Sequence, residues 1–218
     1  MIYFLDMGTN ILRIVLLITT VQFLLSVRCN KNSTRPCMYS SYSFVITSEW
    51  SPQQEVYAVG DTLNLNSTFS KKLTDQINTS IVVDYSNSVG IGGAATFFEL
   101  DTITHDVIGA TSKFDYYSII GTIGNDVSIP TKSKSLYFAE LSTTYSLKIK
   151  LVPKQKGLFA FYISNLTSNG LRGKNCTNAG FVNTLTNTNK NLNLFQYAMQ
   201  RSPASQYEID RIYCFRVQ

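Results

Sequence analysis

The sequence predicts an all-β fold, an antiparallel β-sandwich of immunoglobulin-like or related topology, preceded by an N-terminal signal helix. Three observations favour this class. Short segments of alternating apolar and polar residues recur along the 218-residue chain, aromatic residues reach 12%, and long runs of helix-forming residues are absent. Since we find neither a heptad repeat nor a convincing amphipathic helix, we expect two antiparallel sheets to pack on each other.

Composition and length indicate one exported domain. Charged residues make up only 15% of the chain and aromatic residues are frequent, which argues against disorder. We predict a signal peptide over residues 1–28, a polar tether over residues 29–41 and a single β-sandwich domain over residues 42–218. The formal net charge of +5 is not concentrated in a Lys/Arg cluster, so we expect no nucleic-acid partner.

The leader ILRIVLLITTVQFLLSVRC runs from Ile11 to Cys29. Its apolar part spans about 12 to 15 residues, which suits a signal peptide better than a membrane-spanning helix of about 20. Cys29 closely follows the segment LLS, and this end of the leader resembles a bacterial lipoprotein signal, in which such a cysteine is acylated. We therefore predict lipidation of Cys29 and a membrane-anchored protein.

Two residues keep alternatives open. Val27 and Arg28 stand where a lipoprotein signal normally carries small residues. Ordinary cleavage near Ser26 would leave Cys29 as a thiol or a disulfide partner, and an uncleaved leader would act as a signal anchor.

The predicted domain opens with two alternating segments. In YSFVITSEW, which begins at Tyr42, the alternation is that of a half-buried strand. Gly60 and Asp61 then form a turn before LNLNSTF, and this V-x-x-V-G-D-T-L-x-L arrangement resembles immunoglobulin-like sandwiches. Further strands are predicted over residues 80–85, 95–100, 136–141, 145–151, 158–164, 192–197 and 212–217.

The strongest hairpin pattern is YSLKIKLVPKQKGLFAFYI. Leu147, Ile149 and Leu151 alternate with lysines, and PKQKG predicts a turn into a second, antiparallel strand. The asparagine-rich stretch NTLTNTNKNLN at residues 183–193 predicts a polar loop or hairpin tip.

Three cysteines are left if Cys29 is acylated, and we predict a disulfide between Cys176 and Cys214. Such a bridge would close a loop of about 38 residues and stabilise the fold by about 3 to 4 kcal/mol in the chain-entropy model. Without acylation, Cys29 and Cys37 could form a second bridge. No cysteine spacing matches a zinc site and the chain has one histidine, so we expect neither a metal nor a cofactor.

Catalytic patterns are sparse. His105 precedes Asp106, but no G-x-S-x-G nucleophile elbow accompanies them, so we interpret His105 as a surface-loop residue and predict no catalytic residue. Glu99 and Asp101 could form a carboxylate pair of the glycosidase type, which keeps an envelope glycan hydrolase as an alternative. The glycines of VGIGGAATFF predict a bulge or flexible loop, because no Lys-Ser/Thr follows them.

Aromatic residues are the other binding candidates. Trp50, Tyr116 and Tyr117 could line a surface for an unknown glycan or protein ligand, and the alternative is that they fill the sandwich core. A eukaryotic secreted glycoprotein is a further alternative, because the chain has N-x-S/T sequons at Asn32, Asn66, Asn78, Asn165 and Asn175.

The leader ending in Cys29, the opening YSFVITSEWSPQQEVYAVGDTLNLNSTF and the closing RIYCFRV together resemble uncharacterised lipoproteins of the Bacteroidota. This resemblance implies an exported, membrane-anchored, β-rich protein and carries over no catalytic residue. We predict a binding or structural role at the cell envelope, on the periplasmic or outer-membrane face, with secretion as the alternative.

Overall fold

The structure, a computed structural model, describes residues 42–202 and 205–218. The predicted signal peptide, the tether and Cys29 lie outside this part of the chain. The described strands are β1 Tyr42–Ser51, β2 Val56–Tyr57, β3 Leu63–Ser70, β4 Lys72–Thr74, β5 Val82–Asp84, β6 Ile91–Leu100, β7 Val107–Gly109, β8 Phe114–Ile120, β9 Thr122–Asn125, β10 Ser133–Tyr137, β11 Ala139–Glu140, β12 Thr144–Pro153, β13 Gly157–Ile163, β14 Leu166–Ser168, β15 Ala179–Leu185 and β16 Ile212–Val217. The described helices are α1 Leu192–Met199 and α2 Gln206–Ile209, with a 3₁₀ turn at Thr111–Lys113.

The first sheet is built around β6. β13 and β14 pair with one edge of β6, and β10 and β7 pair with the other. Pairing continues from β13 to β16 and β2, from β14 to β15 and β1, and from β10 to β9. The pairs β1–β15 and β2–β16 are parallel, so this sheet is mixed where the sequence predicted antiparallel pairs alone. Parallel neighbours need long connections, and each of these pairs joins segments that are distant in the chain.

The second sheet contains β1, β3, β12 and β8 in this order, with β11 beside β12. β1 belongs to both sheets, because residues 42–48 pair with β15 and residues 49–51 pair with β3. The chain therefore passes from one layer of the sandwich to the other within one continuous strand. β4 and β5 form a separate two-stranded ribbon.

The two sheets enclose an aromatic core. β3 and β12 of the second sheet contribute buried leucine and isoleucine side chains, and β6, β13 and β16 of the first sheet contribute phenylalanines. The ring centroid of Phe161 lies 4.7 Å from the centroids of both Phe97 and Phe215, with the rings edge to face. A second cluster around Phe44 and Phe181 continues the core. The predicted β-sandwich is confirmed, as is the alternation of buried and exposed residues in β1 and β3.

Trp50 marks the point where β1 joins the second sheet. Its side chain is fully buried, and its ring centroid lies 4.9 Å from that of Phe161. The Trp50 N–H donates to Oδ1 of Asn187 at 2.9 Å, and Nδ2 of Asn187 donates to the Trp50 carbonyl at 2.8 Å. The Asn187 side chain thus satisfies both backbone groups of Trp50, as a neighbouring strand would. The polar loop predicted over residues 183–193 accordingly contains buried asparagines that hold the core.

The prediction of a strand over residues 192–197 is wrong, because this segment forms the helix α1. The alternating positions of Leu192 and Leu194 suggested a strand. In the structure the buried residues are Leu194, Phe195 and Ala198, whose spacing is that of one face of a helix. These three side chains pack on the outer face of the first sheet, against Ala160 and residues of β6 and β16. A run of this length matches both periodicities, and contact with the sheet decides between them.

The prediction of a hairpin around PKQKG is also wrong, because β12 and β13 do not pair with each other. β12 pairs with β3 and β8 in the second sheet, whereas β13 pairs with β6 and β16 in the first. The two strands therefore face each other across the core and the turn connects the layers. β13 is buried along most of its length, which is typical of a central strand covered on both faces.

The predicted disulfide between Cys176 and Cys214 is wrong. Cys214 is a free thiol, fully buried in β16 beneath α1. Cys176 is disulfide-bonded, but not to Cys214, and lies in an exposed loop. The thiol of Cys214 is enclosed instead by the apolar side chains of α1 and of the sheet beneath it. Burial raises the pKa of the Cys214 thiol to about 12, so it stays neutral and unreactive.

Asp75 fixes the turn after β4 to the first strand. Its Oδ1 accepts hydrogen bonds from the backbone N–H groups of Ser43, at 2.9 Å, and Ile77, and its Oδ2 accepts from Asn78. These bonds, first of all the one from Ser43, lower the pKa of the Asp75 carboxyl. The turn is therefore held by the ionised form of the side chain.

We expect Asn187→Ala to lower the free energy of unfolding by about 2 to 4 kcal/mol, because it leaves two buried backbone groups of Trp50 without partners. Urea denaturation followed by tryptophan fluorescence measures this loss. Asn193→Ala is the matched control, since Asn193 is exposed on α1, and it should change stability by less than about 0.5 kcal/mol. Equal effects of the two substitutions would contradict the role given to Asn187.

We expect Asp75→Asn to reduce the loss of folding stability that occurs as the pH falls into the acidic range. The folded-state pKa of Asp75 lies below its unfolded value of about 3.9, so its contribution is complete above that value and is lost as the pH falls through the folded-state pKa. Between about pH 5 and about pH 2, the urea midpoint of the wild type should fall more than that of the variant. Parallel pH profiles would show that the carboxylate contributes nothing.

Candidate functional site

The outer face of the first sheet is only partly covered by α1, and an open groove of about 650 Å³ lies beside this helix. The floor of the groove comes from the outward side chains of β6, β13 and β16, and its walls from α1, α2 and the segments around β7 and β10. We call it the α1 groove, and its lining residues are Thr96, Phe98, Val107, Ile129, Lys132, Tyr162, Phe195, Arg201, Ser205, Tyr207, Glu208 and Ile212. Its size lies within the range of about 300 to 1,000 Å³ that small-molecule sites occupy.

The floor and walls of the α1 groove are mostly apolar. Phe98 and Tyr162 are half-buried on the floor, while Val107 and Ile129 on one wall and Tyr207 on the other are 39–48% exposed. Exposed apolar side chains facing a common cavity favour an apolar ligand, whose binding removes them from water. Burial and the neighbouring Tyr207 hydroxyl raise the pKa of Tyr162, so its hydroxyl is neutral.

A histidine ties α1 to the adjoining loop. His105 Nδ1 lies 2.6 Å from the carbonyl oxygen of Ala198 in the last turn of α1, and it must donate, since a carbonyl only accepts. His105 has a φ of 59°, a left-handed conformation that is uncommon outside glycine and asparagine. The predicted surface-loop histidine therefore lies in a loop, where it positions one wall of the groove.

A buried arginine anchors the other wall. Arg211, only 3% exposed, donates from Nη1 to the Tyr207 carbonyl and from Nη2 to Asn165 Oδ1. Its guanidinium carbon lies 3.5 Å from the centroid of the Tyr207 ring. Tyr207, which lines the groove, is thus held in place through both its backbone and its ring.

The structure separates the aromatic residues predicted to form one binding surface. Trp50 belongs to the core, which contradicts the prediction that it lines a surface. Tyr116 packs against the same core and donates to the Thr111 carbonyl, whereas Tyr117 is 49% exposed on the opposite face of β8, beside Lys150. Adjacent residues of a strand point to opposite faces, so Tyr116 and Tyr117 cannot share a surface.

Glu99 and Asp101 both line a second cavity of about 720 Å³. The Glu99 carboxylate forms an ion pair with Lys113. Asp101 Oδ1 accepts hydrogen bonds from the N–H groups of Ile103 and Thr104, of which the first lowers the pKa of Asp101 most. A glycosidase needs one carboxyl group that stays protonated, and the lowered pKa of Asp101 makes this carboxyl unsuited to that role.

The glycines predicted to form a bulge or flexible loop lie mostly within β6. A Cβ on Gly93 would come within 2.6 Å of the Leu166 side chain, so this glycine permits close packing of β14. Three of the described sequons are in exposed loops, at Asn78, Asn165 and Asn175, and Asn66 lies within β3.

Among residues 42–202 and 205–218, no group of three or more His, Cys, Asp or Glu side chains is arranged to hold a metal ion. In the same ranges, no helix has the length and apolarity to cross a membrane.

Sequence reasoning missed the α1 groove, although a signal for it is present. ATFFEL and LFAFYI are apolar at consecutive positions, which indicates strands with apolar side chains on both faces. One face of such a strand packs in the core, and the apolar side chains of the other face must be buried by another element or by a ligand. Phe98 and Tyr162 belong to that outer face.

Comparison with known proteins yields no family. No family model matches the chain, and no curated protein matches it. A type II cohesin domain from the cellulosome of Acetivibrio cellulolyticus aligns with a TM-score of 0.27 and 10% identity over 56% of this chain and 75% of that chain.

Two further matches are structures of the ScaA adaptor scaffoldin of Acetivibrio cellulolyticus. Its type II cohesin dyad has a TM-score of 0.32 and 9% identity over 67% of this chain and 47% of that chain. Its second type II cohesin module has a TM-score of 0.28 and 9% identity over 56% of this chain and 75% of that chain. Likeness at this level carries no information on what the present chain binds.

We expect His105→Gly to loosen the C-terminal turn of α1, because glycine tolerates the left-handed conformation of this position but has no side chain that could donate to the Ala198 carbonyl. Loss of this one hydrogen bond should lower the local opening free energy of α1 by on the order of 1 kcal/mol. Hydrogen exchange of the α1 amides measures it, with Asp106→Asn as the control at an exposed neighbouring position. Unchanged exchange in His105→Gly would contradict the role given to the hydrogen bond between His105 and Ala198.

Proposed function

We propose that this chain is an exported binding module whose ligand occupies the α1 groove. The observation that carries the proposal is the groove itself, a cavity of about 650 Å³ with an apolar floor on the part of the sheet face that α1 does not cover. Apolar clefts with a few polar groups at the edge are the usual form of a ligand site. Binding would remove the exposed parts of Val107, Ile129 and Tyr207 from water.

Rigid elements support this assignment. The floor belongs to three paired strands, β6, β13 and β16. One wall is tied by His105, and the other is held by Arg211. A site positioned by fixed elements loses little conformational entropy when a ligand binds.

Export and membrane attachment are proposed from the leader alone. The apolar segment of Ile11–Cys29 supports a signal peptide, and its likeness to a lipoprotein signal supports acylation at Cys29. In this proposal the anchored domain belongs to the cell envelope, as in the Bacteroidota lipoproteins that the chain resembles. An acyl chain would hold the domain at the membrane and leave the groove accessible to its ligand.

Thr96→Trp should block the groove. Thr96 lies at the floor, so an indole at this position would fill the space without entering the core. Nile red, a neutral probe whose fluorescence rises in apolar surroundings, should bind the wild type, and its affinity should fall at least about tenfold in the variant. The reason is steric exclusion from an otherwise intact site.

The matched control for this experiment is Thr68→Trp, because Thr68 is exposed on β3 of the second sheet. This control should retain the affinity of the wild type. Absence of probe binding, or equal loss in both variants, would overturn the groove as the binding site.

A further inference from the structure

The charges at the mouth of the α1 groove are unbalanced. Lys132 and Arg201 both line it, and neither forms an ion pair with any residue that the structure describes. The guanidinium carbon of Arg201 lies 5.4 Å from the ring centroid of Phe195, which places this cation over an apolar wall. Within the described part of the chain, Glu208 is the one carboxylate that lines the groove.

A third cation lies directly behind the wall. Arg211 is separated from the groove by the Tyr207 ring, and both of its described hydrogen-bond acceptors are neutral. No ion pair within the described residues involves Arg211. Its positive charge is therefore not engaged by an ion pair among the described residues, and burial screens it less than water would.

These charges select among ligands that share an apolar body. A neutral ligand that fills the groove would partly desolvate Lys132 and Arg201 without pairing them, and a cationic ligand would be repelled. An anionic head group at the mouth would accept charge-assisted hydrogen bonds from both side chains while the apolar body covers Phe98, Tyr162 and Ile212.

We propose that the α1 groove binds a small amphipathic anion, with an aliphatic or aromatic body on the sheet and a carboxylate or similar acidic group between Lys132 and Arg201. This inference rests on the proposed function, since it names the ligand class of the same groove. The cavity volume suits a ligand of small-molecule size.

Three amphiphiles with the same apolar chain test the charge preference. Dodecanoate, dodecan-1-ol and dodecylammonium, each below its micelle-forming concentration, are titrated as competitors of Nile red. Dodecanoate should bind at least about tenfold more tightly than either of the others, and added salt should reduce this preference.

The double substitution Lys132→Gln and Arg201→Gln should remove the preference for dodecanoate, so that dodecanoate and dodecan-1-ol bind the variant with about equal affinity. The matched control is Lys148→Gln with Lys150→Gln, which removes two lysines from β12 in the second sheet and should preserve the preference for dodecanoate.

The outcomes separate the two proposals. Equal affinity of the wild type for dodecanoate and dodecan-1-ol, with both excluded by Thr96→Trp, overturns the anion preference and leaves the groove as a binding site. The same holds if the Gln double variant keeps the preference. Failure of all three amphiphiles and of Nile red to bind overturns both proposals.

Discussion

The passage of β1 between the two layers is the constraint on which the rest of the sandwich depends. A strand that leaves one sheet for another exposes backbone groups on the edge it abandons, and these groups are buried here. β15 pairs with β1 as far as Ser48, and Thr186 then donates its N–H to the Ser48 carbonyl. Asn187 supplies the next pair of bonds to Trp50, so the ladder is continued by a side chain where the strand has ended.

The α1 groove follows from the covering of the first sheet. β13 and β16 bury residues on both faces, so an element must lie on the outer face as well as in the core. α1 has 8 residues and is therefore about 12 Å long, whereas the 7 residues of β13 extend about 23 Å. The helix protects Ala160 and Cys214, and the outward side chains beyond its reach, among them Phe98 and Tyr162, form the floor.

The parts of this structure that the sequence predicts are those decided locally. Alternation in β1 and β3 reports one buried face, and the extent of β16 coincides with its predicted range. The alternation of apolar and polar residues does not indicate which strand pairs with which. The turn after β12 therefore resembled a hairpin in the sequence, although it connects the two sheets. Asn187 carried no signal of burial, because its partner, Trp50, is brought near only by the long-range pairing of β1 with β15. The groove has the same origin, since its lining residues come from four separated parts of the chain.

Because Arg211 is buried, it both fixes one wall of the groove and supplies a positive charge there. An exposed arginine would be more mobile, and water would screen its charge. The hydrogen bonds of Arg211 to the Tyr207 carbonyl and to Asn165 join α2 to the segment between β13 and β14, which fixes one wall of the groove. These neutral acceptors bind Nη1 and Nη2 of the guanidinium without removing its charge, and Nε has no acceptor among the described residues, so a positive potential persists beneath Tyr207. A carboxylate in place of Asn165 would cancel that potential. The wall therefore combines fixed geometry with a fixed charge, and both are present before a ligand arrives.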